Sequence, residues 1–441
     1  MSAADGLRVF LGIPAERSQA LRYKTKLLID HTLGVVFALV FKGLAKILTH
    51  LLGRDHGVPE APACVAVGKL VGLGSIVYSG TLCRGLRARY PQTRIVYVTS
   101  RANRALVERF AAVDDVLCLD DRNALHILFS GMRLVLRLWR LRPELYFDLE
   151  VYSSFAAILA SLSLARNRYG FYRRSAGFKR NLHTHMIFFN TRRHIAEIYG
   201  QMLLCVEAQT QKDLHDVLAV RESDREACSE VLSRVGVGER PLVLVNPNAS
   251  ELMLERRWPR ERWVEFLTAA VARFPEYEFL LVGAPAERDY VAGLFDRLGE
   301  QVRGRVRNVA GEFSLPAFFG LIGRCSLLVT NDSGPLHLAV ALGTPSVSLW
   351  GPGAPDHYMP LDGRHEVIWA HTYCSPCLYH ADFPPCEGDN VCMKQTPVET
   401  VLECVERILG ARPEEQSEVV RLIHEDLRDI NFSPVILHGR R

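Results

Sequence analysis

Residues 326–352, SLLVTNDSGPLHLAVALGTPSVSLWGP, restrict the fold of this chain more than any other stretch. Residues 327–330 form an apolar run of strand length that stops at the polar cluster Asn331-Asp332-Ser333-Gly334-Pro335. From Pro335 onward, Leu336, Leu338, Ala339 and Leu342 recur at helical spacing until Gly343 and Pro345 end the pattern. Pro335 falls at the first helical position, where its missing N–H costs nothing. Residues 346–350 then read as a second strand. Strand, turn, helix and strand make a βαβ unit, which places ligands at the carboxyl ends of its strands beside a helix N-terminus. Asp332, Ser333 and His337 therefore mark an anion site, with the backbone N–H groups of Gly334, Leu336 and His337 directed at it. An Asp–Ser helix cap with a satisfied histidine one turn on is the competing explanation.

One plan occurs twice in the chain. Residues 64–68 (CVAVG) read as a strand and residues 69–75 (KLVGLGS) as a glycine-containing loop. A helix to about residue 90, a break at Pro91 and a strand at 94–99 complete the first copy. Residues 242–246 (LVLVN), a loop through Trp258-Pro259, a helix over 261–274, Pro275 and a strand over 278–283 repeat it. Strands alternating with helices imply parallel sheets, and a plan that restarts near residue 241 implies two α/β domains, expected at 62–215 and 238–410. An arm, 1–61, precedes them. A tail, 411–441, follows, and its residues 413–429 read as a charged amphipathic helix.

Within the arm, residues 24–54 carry a charge-free apolar run over 32–41, too short for a bilayer span of about 20 residues. Lys42 and Lys46 share a helical face beside it, as expected of a helix lying in an anionic membrane surface; a helix packed on protein is the alternative. With 441 residues and 48% hydrophobic content the chain can bury a sizeable core. A net charge of +4 argues for no nucleic-acid partner, yet arginines gather at 133–142, 166–180 and 192–193, which suits an anionic substrate or surface. Seven of the eleven cysteines are scattered through apolar segments, and no secretory signal opens the chain. Both point to a reducing cytoplasm, and with the interfacial helix the expected place is peripheral on the inner face of the cytoplasmic membrane.

The string TNDSGPLHLAVALGTPSVSLWGP resembles the signature of family 9 glycosyltransferases, the heptosyltransferase-like enzymes of lipopolysaccharide assembly, and the similarity extends over about residues 62–410. The resemblance implies a GT-B architecture, two Rossmann-like domains with parallel sheets facing across a cleft, and an inverting transfer that needs no cofactor. The implied donor is a nucleotide-diphosphate sugar, ADP-heptose being the family's usual one, held mainly by the C-terminal domain. The implied acceptor is a lipid-linked or cell-envelope glycan. Asn248 matches the family's loop after the first donor-domain strand, and Arg256 or Arg257, before Trp258-Pro259, its basic residue. Asp332, Ser333, Gly334 and His337 complete the donor set, and Lys69 and Gly74 belong to the acceptor-side loop.

The chain departs from the family at the base. Family members carry an aspartate directly after the glycine of the first loop, whereas here Ser75 follows Gly74. The replacement expected is Glu150, on the same strand-end face as Asp148, with Asp148, His183 and His185 in reserve. The competing view is that the two carboxylates cap the following helix. Ser75 also keeps alive a degenerate enzyme serving as a membrane-associated scaffold. Gly72-Leu-Gly74 is not a dinucleotide fingerprint, since Val77 stands at the third small position and no acid follows the second strand. Finally, Cys374, Cys377, Cys386 and Cys392 fall within one turn-rich loop and suggest a structural zinc or iron site, with free thiols or a labile disulfide as the alternative. Related protein-directed heptosyltransferases are similar in holding iron with four C-terminal cysteines, at different spacing.

Overall fold

The computed structural model describes residues 56–410, apart from 211, 215–216, 250–252, 361–363, 371, 379–385 and 387, together with 420–424. The interfacial helix expected at 24–54 lies outside the described residues.

Among the described residues thirteen strands form two sheets. The first contains β1 (Cys64–Gly68), β2 (Arg94–Ser100), β3 (Asp115–Leu119), β4 (Leu145–Asp148), β5 (Asn167–Tyr172) and β6 (His185–Phe188), in the order β3-β2-β1-β4-β5-β6. The second contains β7 (Leu242–Asn246), β8 (Glu278–Leu281), β9 (Val306–Asn308), β10 (Leu327–Asn331), β11 (Ser346–Trp350), β12 (His365–Trp369) and β13 (Val420–His424), in the order β13-β12-β11-β10-β7-β8-β9. Every pairing is parallel. The central strands β1, β4, β7, β10 and β11 are buried along their whole length, which explains their near-continuous apolar runs: helices cover both faces, so no solvent face demands alternation. The expected α/β class with two Rossmann-like domains is present. The tail differs from expectation. Its described part is the strand β13, paired in register with β12, and not a helix.

Each sheet reverses its strand order once, between β1 and β4 in the first and between β7 and β10 in the second. At such a reversal the crossovers leave in opposite directions and open a crevice at the carboxyl ends. The two reversals thus define the two places where this fold can hold ligands.

The domains pack through one continuous apolar cluster in which Ile76, Val77 and Tyr78 meet Leu336, Leu338 and Ala339. The helix Glu222–Arg234 packs on the helix Leu315–Arg324 and is tied to the first domain by a buried ion pair, Arg109 Nε donating to Asp224 Oδ2 at 2.9 Å.

Candidate active site

At the reversal of the second sheet, β7 and β10 deliver Asn246, Asn248, Asp332 and Ser333 to one spot, all of them buried. Asn246 Nδ2 donates to Thr330 Oγ1 (3.0 Å) and Ser333 Oγ (2.9 Å). Asn248 Nδ2 donates to Val282 O (3.1 Å) and Asn246 Oδ1 (3.2 Å), while its own Oδ1 has no partner. A buried amide oxygen left unpaired costs about 1–3 kcal/mol, so it is a group waiting for a donor. Ser333 does not cap the helix Gly334–Ala341, because its hydroxyl is engaged by Asn246 and Thr330. The N–H of Leu336, expected to face an anion, instead donates to Ser333 O at 3.1 Å.

Asp332 is the charged centre. Its Oδ2 lies 3.3 Å from Arg256 Nη1, and burial raises its pKa despite that guanidinium. Gly353 makes room for the carboxylate, since a Cβ there would stand 2.4 Å from Asp332 Oδ2. His337 is buried, its Nδ1 has no partner, and burial, helped by Arg256, lowers its pKa to about 3, so it is neutral at physiological pH. Of the two arginines, Arg256 reaches the site. Arg257, one residue past the short 3-10 turn Leu254–Arg256, turns away and stacks over Tyr290 with its guanidinium carbon 3.8 Å from the ring centroid.

These groups open onto a cavity of about 510 Å³ between the domains. Asn246, Asn248, Arg256, Asp332, Ser333, Gly334 and His337 line it on the C-terminal side, beside an apolar wall that includes Val309, Phe313, Leu315 and Phe318. Gly72, Leu73, Gly74 and Ser75 close it from the N-terminal domain. Gly74 has to be glycine, because a Cβ would sit 2.3 Å from the His337 ring. Ser75 Oγ and Tyr358 Oη are hydrogen-bonded across the cleft at 2.6 Å, and Tyr78 Oη donates to Met359 O at 3.2 Å. Tyr78, His194 and Tyr358 were not anticipated; no local pattern marks them, and only the domain packing brings them together.

The reversal of the first sheet is built differently. Glu150, just beyond β4, accepts the Leu70 N–H (2.8 Å) and the Val71 N–H (3.0 Å) on Oε1, and its Oε2 lies 2.8 Å from Lys69 Nζ. Asp148 Oδ2 is 3.0 Å from both Lys179 Nζ and His183 Nε2, and its Oδ1 accepts the Glu150 N–H at 3.0 Å. Burial pushes the Asp148 pKa up, but Lys179 and His183 outweigh it and the net shift is downward. Lys179 also donates to the Glu150 carbonyl, so both peptide groups flanking that residue are clamped. Neither carboxylate caps the next helix; Ser153 does, accepting from Ala156 N. Glu150, Asp148 and Lys69 are absent from the cavity wall, and His185 stacks on Tyr169 instead, ring centroids 4.7 Å apart.

The four loop cysteines do not assemble as expected. Among the described residues no three His, Cys, Asp or Glu side chains form a metal-ligating group, and all four are free thiols. Burial, reinforced by the neighbouring thiols, raises Cys377 to about 11 and Cys392 to about 12. The thiols lie near enough to raise one another, but with no ligating group among the described residues no role is derived for a metal here.

Two Rossmann-like sheets with a charged, incompletely satisfied pocket at the second reversal define an α/β protein of the two-domain kind. Glycosyltransferase family 9 (heptosyltransferase) matches residues 152–385, more than half of the chain, and the protein belongs to that family of glycosyltransferases. It is 27% identical over 307 residues to lipopolysaccharide heptosyltransferase 2 of Salmonella typhimurium, covering 67% of this chain and 85% of that protein. Its fold is shared with the family 9 glycosyl transferase of Veillonella parvula (TM-score 0.68, 21% identity, 80% of this chain and 99% of that one). It is shared also with E. coli ADP-heptose LPS heptosyltransferase II (TM-score 0.64, 22% identity, 78% and 98%). Among the described residues no helix is long and apolar enough to cross a membrane.

Proposed function

We propose that the protein is an inverting glycosyltransferase that moves heptose from ADP-heptose to a lipid-linked glycan of the lipopolysaccharide core, at the cytoplasmic face of the membrane. The observation that carries this reading is the cavity at the second reversal, where unpartnered buried acceptors, Arg256 and a helix N-terminus converge on one side of an apolar slot. The slot formed by Val309, Phe313, Leu315 and Phe318 suits a nucleobase. Arg256 and the N-terminal end of the helix Gly334–Ala341 suit a diphosphate, and they stabilise the charge that builds on it as the glycosidic bond breaks. The heptose, the adenine nucleotide and the lipopolysaccharide acceptor come from the names of the relatives.

On the acceptor side, the exposed side chains Val71, Tyr152, Tyr172 and Phe188 follow or end β1, β4, β5 and β6. Arg173 lies over Tyr152, its guanidinium carbon 5.5 Å from the ring centroid, and Arg192 and Arg193 are exposed nearby in sequence. An apolar and cationic rim favours an amphipathic anionic acceptor, and the arm at 24–54 is assigned to the same membrane surface. We assign Glu150 to holding the first loop and not to taking the acceptor proton, because three donors already occupy its oxygens. The scaffold alternative has no observation in its favour, since the donor cavity keeps its charged and polar groups.

Calorimetric titration with a panel of nucleoside diphosphates tests the donor site. ADP is expected to bind best, and Asp332→Ala to weaken it at least about tenfold, by removing the buried carboxylate that holds Arg256 at the site. A wild-type protein that binds no nucleotide would sink the reading.

A further inference from the structure

The helix Ala124–Leu141, which links β3 to β4, packs inward through Gly131, Leu134 and Leu138. Its opposite face is apolar as well. Leu125, Leu128, Phe129, Met132, Leu136 and Trp139 are each between 45% and 65% exposed. At about 100° per residue they fall within one stripe roughly 100° wide, and Arg133, Arg137 and Arg140 run along one flank of it. The helix contains no Asp or Glu. A polar outer face is what a helix on a water-exposed sheet ordinarily shows, and a continuous apolar stripe of this size marks a surface that is covered in use.

We propose that this face lies in the headgroup layer of an anionic bilayer. The one-sided arginine flank selects the occupant: an apolar wedge with cations at its edge and no acid to repel lipid phosphates matches an interfacial helix. Trp139 donates its indole N–H to Leu162 O at 2.7 Å, which fixes the ring at the helix end and leaves its edge outward. The helix starts at the carboxyl edge of the first sheet, where its cap Asn123 follows β3. A bilayer against it therefore sits beside the rim of Val71 and Tyr152, where a lipid-linked acceptor enters. The inference deepens the acceptor reading above, and it concerns an element separate from residues 24–54.

Trp139 supplies the test, because Trp258, Trp263, Trp350 and Trp369 are buried. The full-length protein is mixed with vesicles of brominated phosphatidylcholine, with and without phosphatidylglycerol. Tryptophan emission is expected to be quenched with the anionic vesicles only, and Trp139→Phe is expected to abolish the quenching while the protein still sediments. The variant Leu128→Ser, Phe129→Ser, Leu136→Ser should partition at least about tenfold less while still binding ADP, which reports its folding. Sedimentation of the wild type without quenching, or a triple variant that sediments undiminished, overturns the proposal. So does a triple variant that turns a dimer into a monomer with vesicle binding intact, which would assign the face to a second copy of the chain. Loss of turnover on detergent-dispersed acceptor with quenching intact would fault the acceptor reading alone.

Discussion

The two sheets share one strand order, yet their reversals do opposite things. At the first, the charges of Lys69, Asp148, Glu150, Lys179 and His183 pair with one another and with the loop 69–71, so that a carboxylate with charged neighbours becomes an internal brace, although His183 Nδ1 is left buried without a partner and away from the cavity. At the second, Asn248 Oδ1 and His337 Nδ1 are buried without partners and face a cavity. Topology supplies the crevice in both cases. Whether it becomes a scaffold or a site depends on whether the charged and polar groups there pair with one another or open onto a cavity.

The widest separation between the two should come from Lys179→Ala. It strands Asp148 beneath the sheet edge, where losing one partner of a buried pair costs about 3–5 kcal/mol, and chemical denaturation should register that loss in full. ADP affinity of the folded fraction should stay within about threefold. An equal loss of ADP affinity would show that the two reversals are not independent.

Acid should separate them less, because each holds a neutral buried histidine. Burial lowers His183 and His337 below the usual histidine value of about 6.5, the latter to about 3. The unfolded chain therefore binds more protons, and stability is lost as pH falls below 6.5 toward the folded values. His337 contributes a slope of up to about 1.4 kcal/mol per pH unit in that window, and His183 acts in the same direction. Denaturation midpoints at pH 7 and 5.5 should differ for the wild type, and His337→Gln should flatten part of the slope. An unchanged slope would mean that His337 is protonated in the fold.

How much of this contrast was legible in the sequence follows from range. The unit β10–helix–β11 could be read because its period switches from strand to helix and back within 25 residues of contiguous chain. The pairing of Glu150 with Lys69 and two loop amides could not, since 80 residues separate the partners and strand alternation reports only a face. Arg256 and Arg257 are equivalent in a string, and a single 3-10 turn decides between them. The tail was misread because its charges suggested a solvated helix, whereas Val420–His424 gains backbone partners at the edge of β12. Cysteine spacing measures distance along the chain, which is not ligand geometry. The arginines at 133–142 were visible as a cluster, but the apolar stripe beside them needed the sheet to show which face was already used.

Glu150→Gln sharpens the contrast at the level of chemistry. The amide can still accept from Leu70 and Val71, but it offers a donor where Lys69 already donates, at a cost of about 1–3 kcal/mol. A positioning residue should then show a raised KM for acceptor with kcat nearly kept and its pH profile unmoved. A fall in kcat of about 10²–10⁴ with loss of the acidic limb would make Glu150 the general base after all.

The smallest effect is expected at Ser75, where the family's base position has become a strut between the domains. Its hydroxyl meets that of Tyr358 at 2.6 Å, and burial raises the Tyr358 pKa, so the phenol stays protonated and able to donate. Ser75→Ala removes one neutral hydrogen bond, worth about 1 kcal/mol, and leaves Tyr358 Oη to find water in the adjoining cavity. Turnover should therefore fall by no more than about tenfold, with most of the change in KM for the donor, whose pocket Ser75 lines. If turnover instead drops by three orders of magnitude while ADP still binds, the serine is part of the proton path. The first loop would then be catalytic like the second reversal, and the contrast between brace and site would fail at the point where the two domains touch.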